Sequence, residues 1–236
     1  MNAIDTPLVQ LINVSKVFTS GEQKTCAVNN VSLDLFTGEM IVLLGPSGSG
    51  KTTLLTTLAG LLQPTTGTVM LFGKPMTSYT PAELQHVRAV RIGFVFQTFL
   101  LMEALTVEEN VSIVTGFVRR HRDGIENEIG DLLLHLNVAH LAKKHPAELS
   151  QGEKQRVAIA RAIINKPDLI IADEPTASVD ASTGTEIIRL LHGFAKEQSK
   201  CVLVTSHDSR VIAFADRVVE MEDGRMILCH SPSAVV

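Results

Sequence analysis

The chain has 236 residues, 45% of them hydrophobic and 19% charged, which excludes a disordered or low-complexity protein and leaves room for a sizeable core. The formal net charge is −4 and the pI about 6.1, so no basic surface announces a nucleic acid, and one Tyr with no Trp argues against aromatic base platforms. Mean hydropathy is +0.21, yet no apolar run approaches the roughly 20 residues that span a bilayer. Met1–Gln10 has no basic stretch followed by an apolar one, so no signal peptide is expected. Cys26, Cys201 and Cys229 are odd in number and far apart, which fits reduced thiols in a cytoplasmic protein better than disulfides or a metal site.

The first third reads as strands and turns. Leu8–Val14 alternates partly, Ser20–Lys24 is polar around Gly21 and suits a hairpin tip, and Val31–Phe36 alternates before the turn Thr37–Glu39. Met40–Leu44 is continuously apolar, as in a strand buried on both faces, and Lys51–Ala59 is helical with Gly60 at its end. The middle, about 98–165, changes character: Ile125, Ile129, Leu132, Leu133 and Leu136 recur at helical spacing, His145–Pro146 breaks the pattern, and a second helix runs from Ser150 towards Ile164. Leu169–Ala172 is again a buried strand, Thr183–Gln198 an amphipathic helix, and Cys201–Thr205 another buried strand. Alternating β and α elements interrupted by a helical insert predict an α/β fold, with a parallel core sheet and an attached helical lobe. No Pro/Ser-rich linker divides it, so residues 1–236 read as one domain.

Three segments carry chemistry. Gly45-Pro46-Ser47-Gly48-Ser49-Gly50-Lys51-Thr52 matches G-x-x-x-x-G-K-[ST], after an apolar strand and opening a helix. Its glycines let successive N–H groups turn inward on phosphate oxygens, and the helix N-terminus adds partial positive charge. Lys51 can reach the β- and γ-phosphates and Thr52 offers a hydroxyl to Mg²⁺, which makes ATP and Mg²⁺ the expected cofactors. The buried strand Leu169–Ala172 ends in Asp173-Glu174, where ligands of parallel sheets bind; Asp173 suits Mg²⁺ and Glu174 suits a general base towards an attacking water. Ser150 and Glu153 spell a capping box, with Gly152 between them, so the helix start at Ser150 is also an anion site. A second site for the same γ-phosphate makes sense if it serves another copy of the chain.

In order and spacing these motifs resemble an ATP-binding cassette (ABC) ATPase from about Leu8 to Ile227, and that resemblance implies a P-loop NTPase with an N-terminal antiparallel β region. It places Phe18 where the family stacks an aromatic ring on adenine, extends the phosphate loop to Thr53, sets Gln97 at the Q-loop, where it also faces Mg²⁺, and implies that Asp180 ends the D-loop and His207 is the switch histidine. Leu149–Glu153 resembles the LSGGQ signature, departing at Gln151 and Glu153, and Ala177 stands where Ser is common. Within the family, Ser20–Ala27, Arg91–Gln97, Leu105–Asn110 and Ala215–Gly224 resemble the MacB/LolD/DevA-like branch. The resemblance implies an ATPase that dimerises head to tail when ATP-bound, at the cytoplasmic face of the inner membrane, driving a separate permease for export, lipoprotein release or mechanical coupling. Alternatives are an ATP-gated regulator of a cell-envelope or division complex, or a cassette acting on ribosomes or DNA. After Gln97, the segment Thr98–Met102 sets four apolar residues in a row, as expected of a contact to the membrane partner.

Overall fold

The computed structural model describes residues 6–118 and 124–230; residues 1–5 and 231–236 of the expected domain, and 119–123 of its helical lobe, lie outside the described residues. β1 (Val9–Ser20) and β2 (Gln23–Leu35) form a long antiparallel hairpin closed at Gly21-Glu22. Most of the segment Ser20–Ala27, expected as an insert between strands, is therefore itself paired: Thr25 lies opposite Phe18 and Cys26 opposite Val17. β3 (Met40–Leu44) runs into the glycine-rich loop and α1 (Lys51–Leu58), after which β4 (Thr66–Leu71) and the short β5 (Lys74–Pro75) complete a four-stranded sheet in the order β2-β1-β4-β5.

α2 (Pro81–Arg91) was not expected from the sequence, although it carries strong start signals. Thr80 and Glu83 form a capping box and Pro81 occupies the first turn, where a missing N–H costs nothing. β6 (Ile92–Val95) follows directly, then the lobe helices α3 (Val107–Ser112), α4 (Ile125–His135) and α5 (Gln151–Ile163). β7 (Leu169–Asp173), α6 (Ala181–Glu197), β8 (Cys201–Ser206), β9 (Arg217–Glu222) and β10 (Arg225–His230) complete the chain.

The second sheet has the order β10-β9-β3-β8-β7-β6, parallel except for the antiparallel edge strand β10. Its central strands β3, β8 and β7 are buried on both faces. Ile41 and Leu43 of β3 pack with α1 and the antiparallel sheet, whereas Met40 and Val42 pack with Ile187, Leu191 and Phe194 of α6. Each such side chain contributes about 1.5–3 kcal/mol on full burial. A third apolar cluster lies in the lobe, around Val107, Ile129, Leu133 and Leu136. α5 joins the two bodies: Ile159 and Ile163 enter the cluster on α6, while Val157, Ala160 and Ile164 enter that of the lobe.

Candidate nucleotide site

Because the strands run parallel, their carboxyl ends share one edge of the sheet. Leu44 lies level with Ser206, Asp173 with Thr205, and Val95 with Ala172. The loops leaving these strands bring Lys51, Thr52, Gln97, Glu174 and His207 to one cleft of about 510 Å³. Ser47, Gly48, Gly50 and Thr53 line the same cleft.

Two glycines of the loop, Gly45 and Gly50, answer to close approach. A Cβ on Gly45 would stand 2.2 Å from the Met221 carbonyl oxygen, and one on Gly50 would stand 2.0 Å from that of Ala27, where φ is also +98°. Lys51 Nζ donates to the carbonyl oxygens of Gly45 (2.7 Å) and Pro46 (2.9 Å), so the loop itself orients the ammonium group. Ser49 is buried, and its Oγ has no hydrogen-bond partner.

Thr52 Oγ1 donates to Asp173 Oδ2 at 2.9 Å, joining the start of α1 to the end of β7. Thr205 Oγ1 donates to the other carboxylate oxygen at 2.6 Å and accepts from the Glu174 N–H at 2.8 Å. That second contact holds Glu174 at φ +46°, a left-handed conformation uncommon for a side chain of its size. The Glu174 carboxylate lies 3.4 Å from Gln97 Nε2 and 3.5 Å from His207 Nδ1, with His207 well exposed. Thr205 is the participant that sequence reasoning missed. Its signal was faint: one hydroxyl at the end of an apolar strand, fully buried.

The remaining candidates lie outside the cleft. Ser150 caps α5: its Oγ accepts from the Glu153 N–H at 3.4 Å, and Glu153 Oε2 accepts from the Ser150 N–H at 2.7 Å. The Ser150 backbone N–H and hydroxyl hold the Glu153 pKa below its ordinary value. Gly152 sits where a Cβ would meet Thr183 Cγ2 at 2.8 Å, so it also lets α5 start close against α6. Asp180 caps α6, which explains why that helix begins at Ala181 and not at Thr183; the hydroxyls of Ser182 and Thr183 hold its carboxyl well below the usual range. Phe18 is 45% exposed on β1, with Lys16 Nζ 5.4 Å from its ring centre. In the segment after Gln97, Leu100 and Met102 are exposed, but Leu101 packs against the lobe core; the four apolar side chains do not share one outward face.

All three cysteines are free thiols, and among the described residues no cluster of His, Cys, Asp and Glu could hold a metal by itself. No helix among them is long and apolar enough to cross a membrane.

The ABC transporter family model matches residues 28–177. The macrolide export ATP-binding/permease protein MacB of Salmonella choleraesuis is 35% identical over 229 residues, covering 97% of this chain and 35% of the relative. MacB of Escherichia coli K12 is 34% identical over 230 residues, with 98% and 35% covered. The chain thus spans about a third of the length of these curated relatives. Among solved structures, the dimeric post-hydrolysis state of the ATP-binding cassette MJ0796, bound to ADP and Pi, superposes with a TM-score of 0.89 at 37% identity over 95% of this chain and 98% of that one. CbiO1 of Clostridium perfringens, part of the ABC transporter complex cbiONQ, has a TM-score of 0.84 at 30% identity over 98% and 90%. The chain belongs to the ABC transporter family and has the fold of its ATP-binding cassettes.

Proposed function

We propose that the chain binds Mg·ATP and hydrolyses it in head-to-tail dimers, driving a transmembrane permease carried on another polypeptide at the cytoplasmic face of the inner membrane. Residues 1–236 then act as one nucleotide-binding domain, with the helical subdomain about 98–165 moving on it. One observation carries the reading. Lys51, Thr52, Gln97, Glu174 and His207 converge on one cleft, while Ser150 and Gly152, the other phosphate-binding candidates, lie outside it. A second copy, turned head to tail, supplies them. The solved structure of the cassette MJ0796 is itself dimeric, which supports this arrangement.

The glycine-rich loop and Lys51 hold the β- and γ-phosphates, and Phe18 stacks on adenine. The residues present fit Mg²⁺: the Thr52 hydroxyl and Asp173 carboxylate are hard oxygen donors 2.9 Å apart, and Gln97 lines the same cleft as Thr52. Bound there, the ion would neutralise charge on the phosphates. Glu174 takes the proton of the attacking water, and Gln97 and His207 orient its carboxylate. Asp180 fixes the D-loop from the cap of α6. The MacB relatives, named as macrolide export proteins, support export as the work done, with lipoprotein release or mechanical coupling as the other forms the branch resemblance implies. CbiO1, part of a transporter complex, supports a permease on a separate chain.

The test is Glu174→Gln. It keeps shape and hydrogen bonding but cannot accept the proton, so ATP hydrolysis should stop while Mg·ATP still binds. Light scattering should then show a dimer that forms only with Mg·ATP. A monomer in saturating Mg·ATP, or undiminished hydrolysis, overturns the reading.

A further inference from the structure

The apolar segment after Gln97 is not a free loop. Phe99 and Leu100 are both left-handed, at φ +58° and +51°, an unusual pair for bulky side chains. Arg161, near the end of α5, accounts for it. Its two terminal nitrogens donate separately to the carbonyl oxygens of Phe99 and Leu100, each at 2.6 Å. Desolvation lowers the Arg161 pKa from its ordinary value. The planar guanidinium presents these two nitrogens at a fixed spacing, one to each carbonyl, which a single ammonium nitrogen does not.

The segment's far end is held by a second helix. Asn110 of α3 is fully buried; its amide donates to Met102 and Leu105 carbonyls at 3.1 and 3.0 Å, and its oxygen accepts from the Met102 N–H at 2.8 Å. Residues 99–105 are therefore tied to α5 at one end and α3 at the other. The turn between them and β6 is Phe96-Gln97-Thr98, closed by Phe99 N–H to Phe96 O at 3.2 Å. Gln97, in that turn, touches Glu174. The helix that carries Arg161 at one end carries Ser150 and Gly152 at the other.

We propose that Arg161 is a positioning residue that locks the Phe99–Leu100 turn to α5, so that displacement of Gln97 by the γ-phosphate moves Ser150 and Gly152 as one body towards the partner copy. The proposal rests on the head-to-tail reading above. Without the fork, Gln97 still meets the phosphate, but its movement is absorbed in the freed turn and does not reach α5. Phe99 is only half-buried and Leu100 exposed, so water can satisfy both carbonyls and a variant at Arg161 keeps its fold.

The experiment adds Arg161→Met to the Glu174→Gln chain. Two quantities are measured: monomer affinity for Mg·ATP, with a fluorescent ATP analogue, and the Mg·ATP concentration for half-dimerisation, by light scattering. Affinity is expected to stay within about twofold, while half-dimerisation needs about tenfold more Mg·ATP, the scale of an ordinary coupling energy. Arg161→Lys, which offers a point charge and no fork, falls between. A residue that only supported the fold would shift both quantities together. Equal dimerisation with and without Arg161 overturns the proposal, as does loss of circular dichroism in both variants. If Glu174→Gln alone stays monomeric, the head-to-tail reading has failed, and hydrogen exchange decides the coupling. Mg·ATP should then change amide exchange in the Phe99–Met102 turn and in α5 together in the Arg161 chain, but only in the turn in Arg161→Met; the same pattern in both chains overturns it.

Discussion

Thr205→Val isolates the one buried hydroxyl that joins Asp173 to Glu174. Valine keeps the branched shape, so β8 leaves no cavity, but two contacts go: the donor to Asp173 Oδ1 and the acceptor for the Glu174 N–H. A hydrogen bond to a charged group is worth about 1.5–3 kcal/mol, and an unpaired buried N–H costs about 1–3 kcal/mol. Asp173 retains Thr52 on its other oxygen, so a combined loss of about 3 kcal/mol is expected. At about 2–4 °C per kcal/mol for a chain of this size, Tm should fall by about 6–12 °C. The urea midpoint should drop with an unchanged slope, since the exposed surface is the same. The left-handed Glu174 is also freed, at a conformation that itself costs about 1–3 kcal/mol to hold. Its carboxylate then drifts from the attacking water, and kcat for ATP should fall about a hundredfold with little change in KM. Thr205→Ser keeps the oxygen and should keep kcat, losing only about 1 kcal/mol for the methyl group. A Thr205→Val chain with an unshifted urea midpoint and full ATPase would refute the chain of contacts from β8 to Glu174.

Phe18→Ala should weaken ATP binding about ten- to a hundredfold, as expected of losing a 1–3 kcal/mol stack, while Phe18→Tyr is nearly silent and GTP binds with similar strength; rejection of GTP in an equilibrium titration would show that the base is read by its edges. Leu100→Asp and Met102→Asp, both at exposed positions, should leave the isolated chain folded and binding ATP but abolish permease-stimulated ATPase, whereas Leu101→Asp should unfold the lobe, as read by circular dichroism. Acid should weaken the helix starts: the backbone N–H groups of Thr80, Thr106 and Ser150, then their hydroxyls, hold the pKa values of Glu83, Glu109 and Glu153 below the ordinary 4.5. Folded values below unfolded ones mean this stability is full above pH 4.5 and is lost as pH falls below it, so the urea midpoint should drop in that window. Changing all three Glu to Gln should flatten the drop, and an identical pH profile would rule the boxes out as its source.

How much was legible follows from sequence distance. The phosphate loop and the capping boxes at Ser150, Thr80 and Thr106 are local: their partners lie within a few residues, so residue type and spacing suffice to specify them. Ser150 and Glu153 were read in this way, and the box at Thr80 that opens α2 was there to be read. Apolar runs such as Met40–Leu44 and Leu169–Ala172 likewise declare strands buried on both faces. Which strand lies beside which is not local. The contact of Thr52 with Asp173 closes 121 residues and that of Thr205 with Asp173 closes 32, and only the parallel register brings them level. A lone threonine in an apolar strand carries no mark of that role until β7 is laid against β8. The same holds for Phe99–Met102, where hydrophobicity alone could not separate Leu101, turned into the lobe, from Leu100 and Met102, turned to solvent. That separation was decided by Arg161, 62 residues along the chain from Phe99, together with the nearer Asn110, which set the backbone from two different helices.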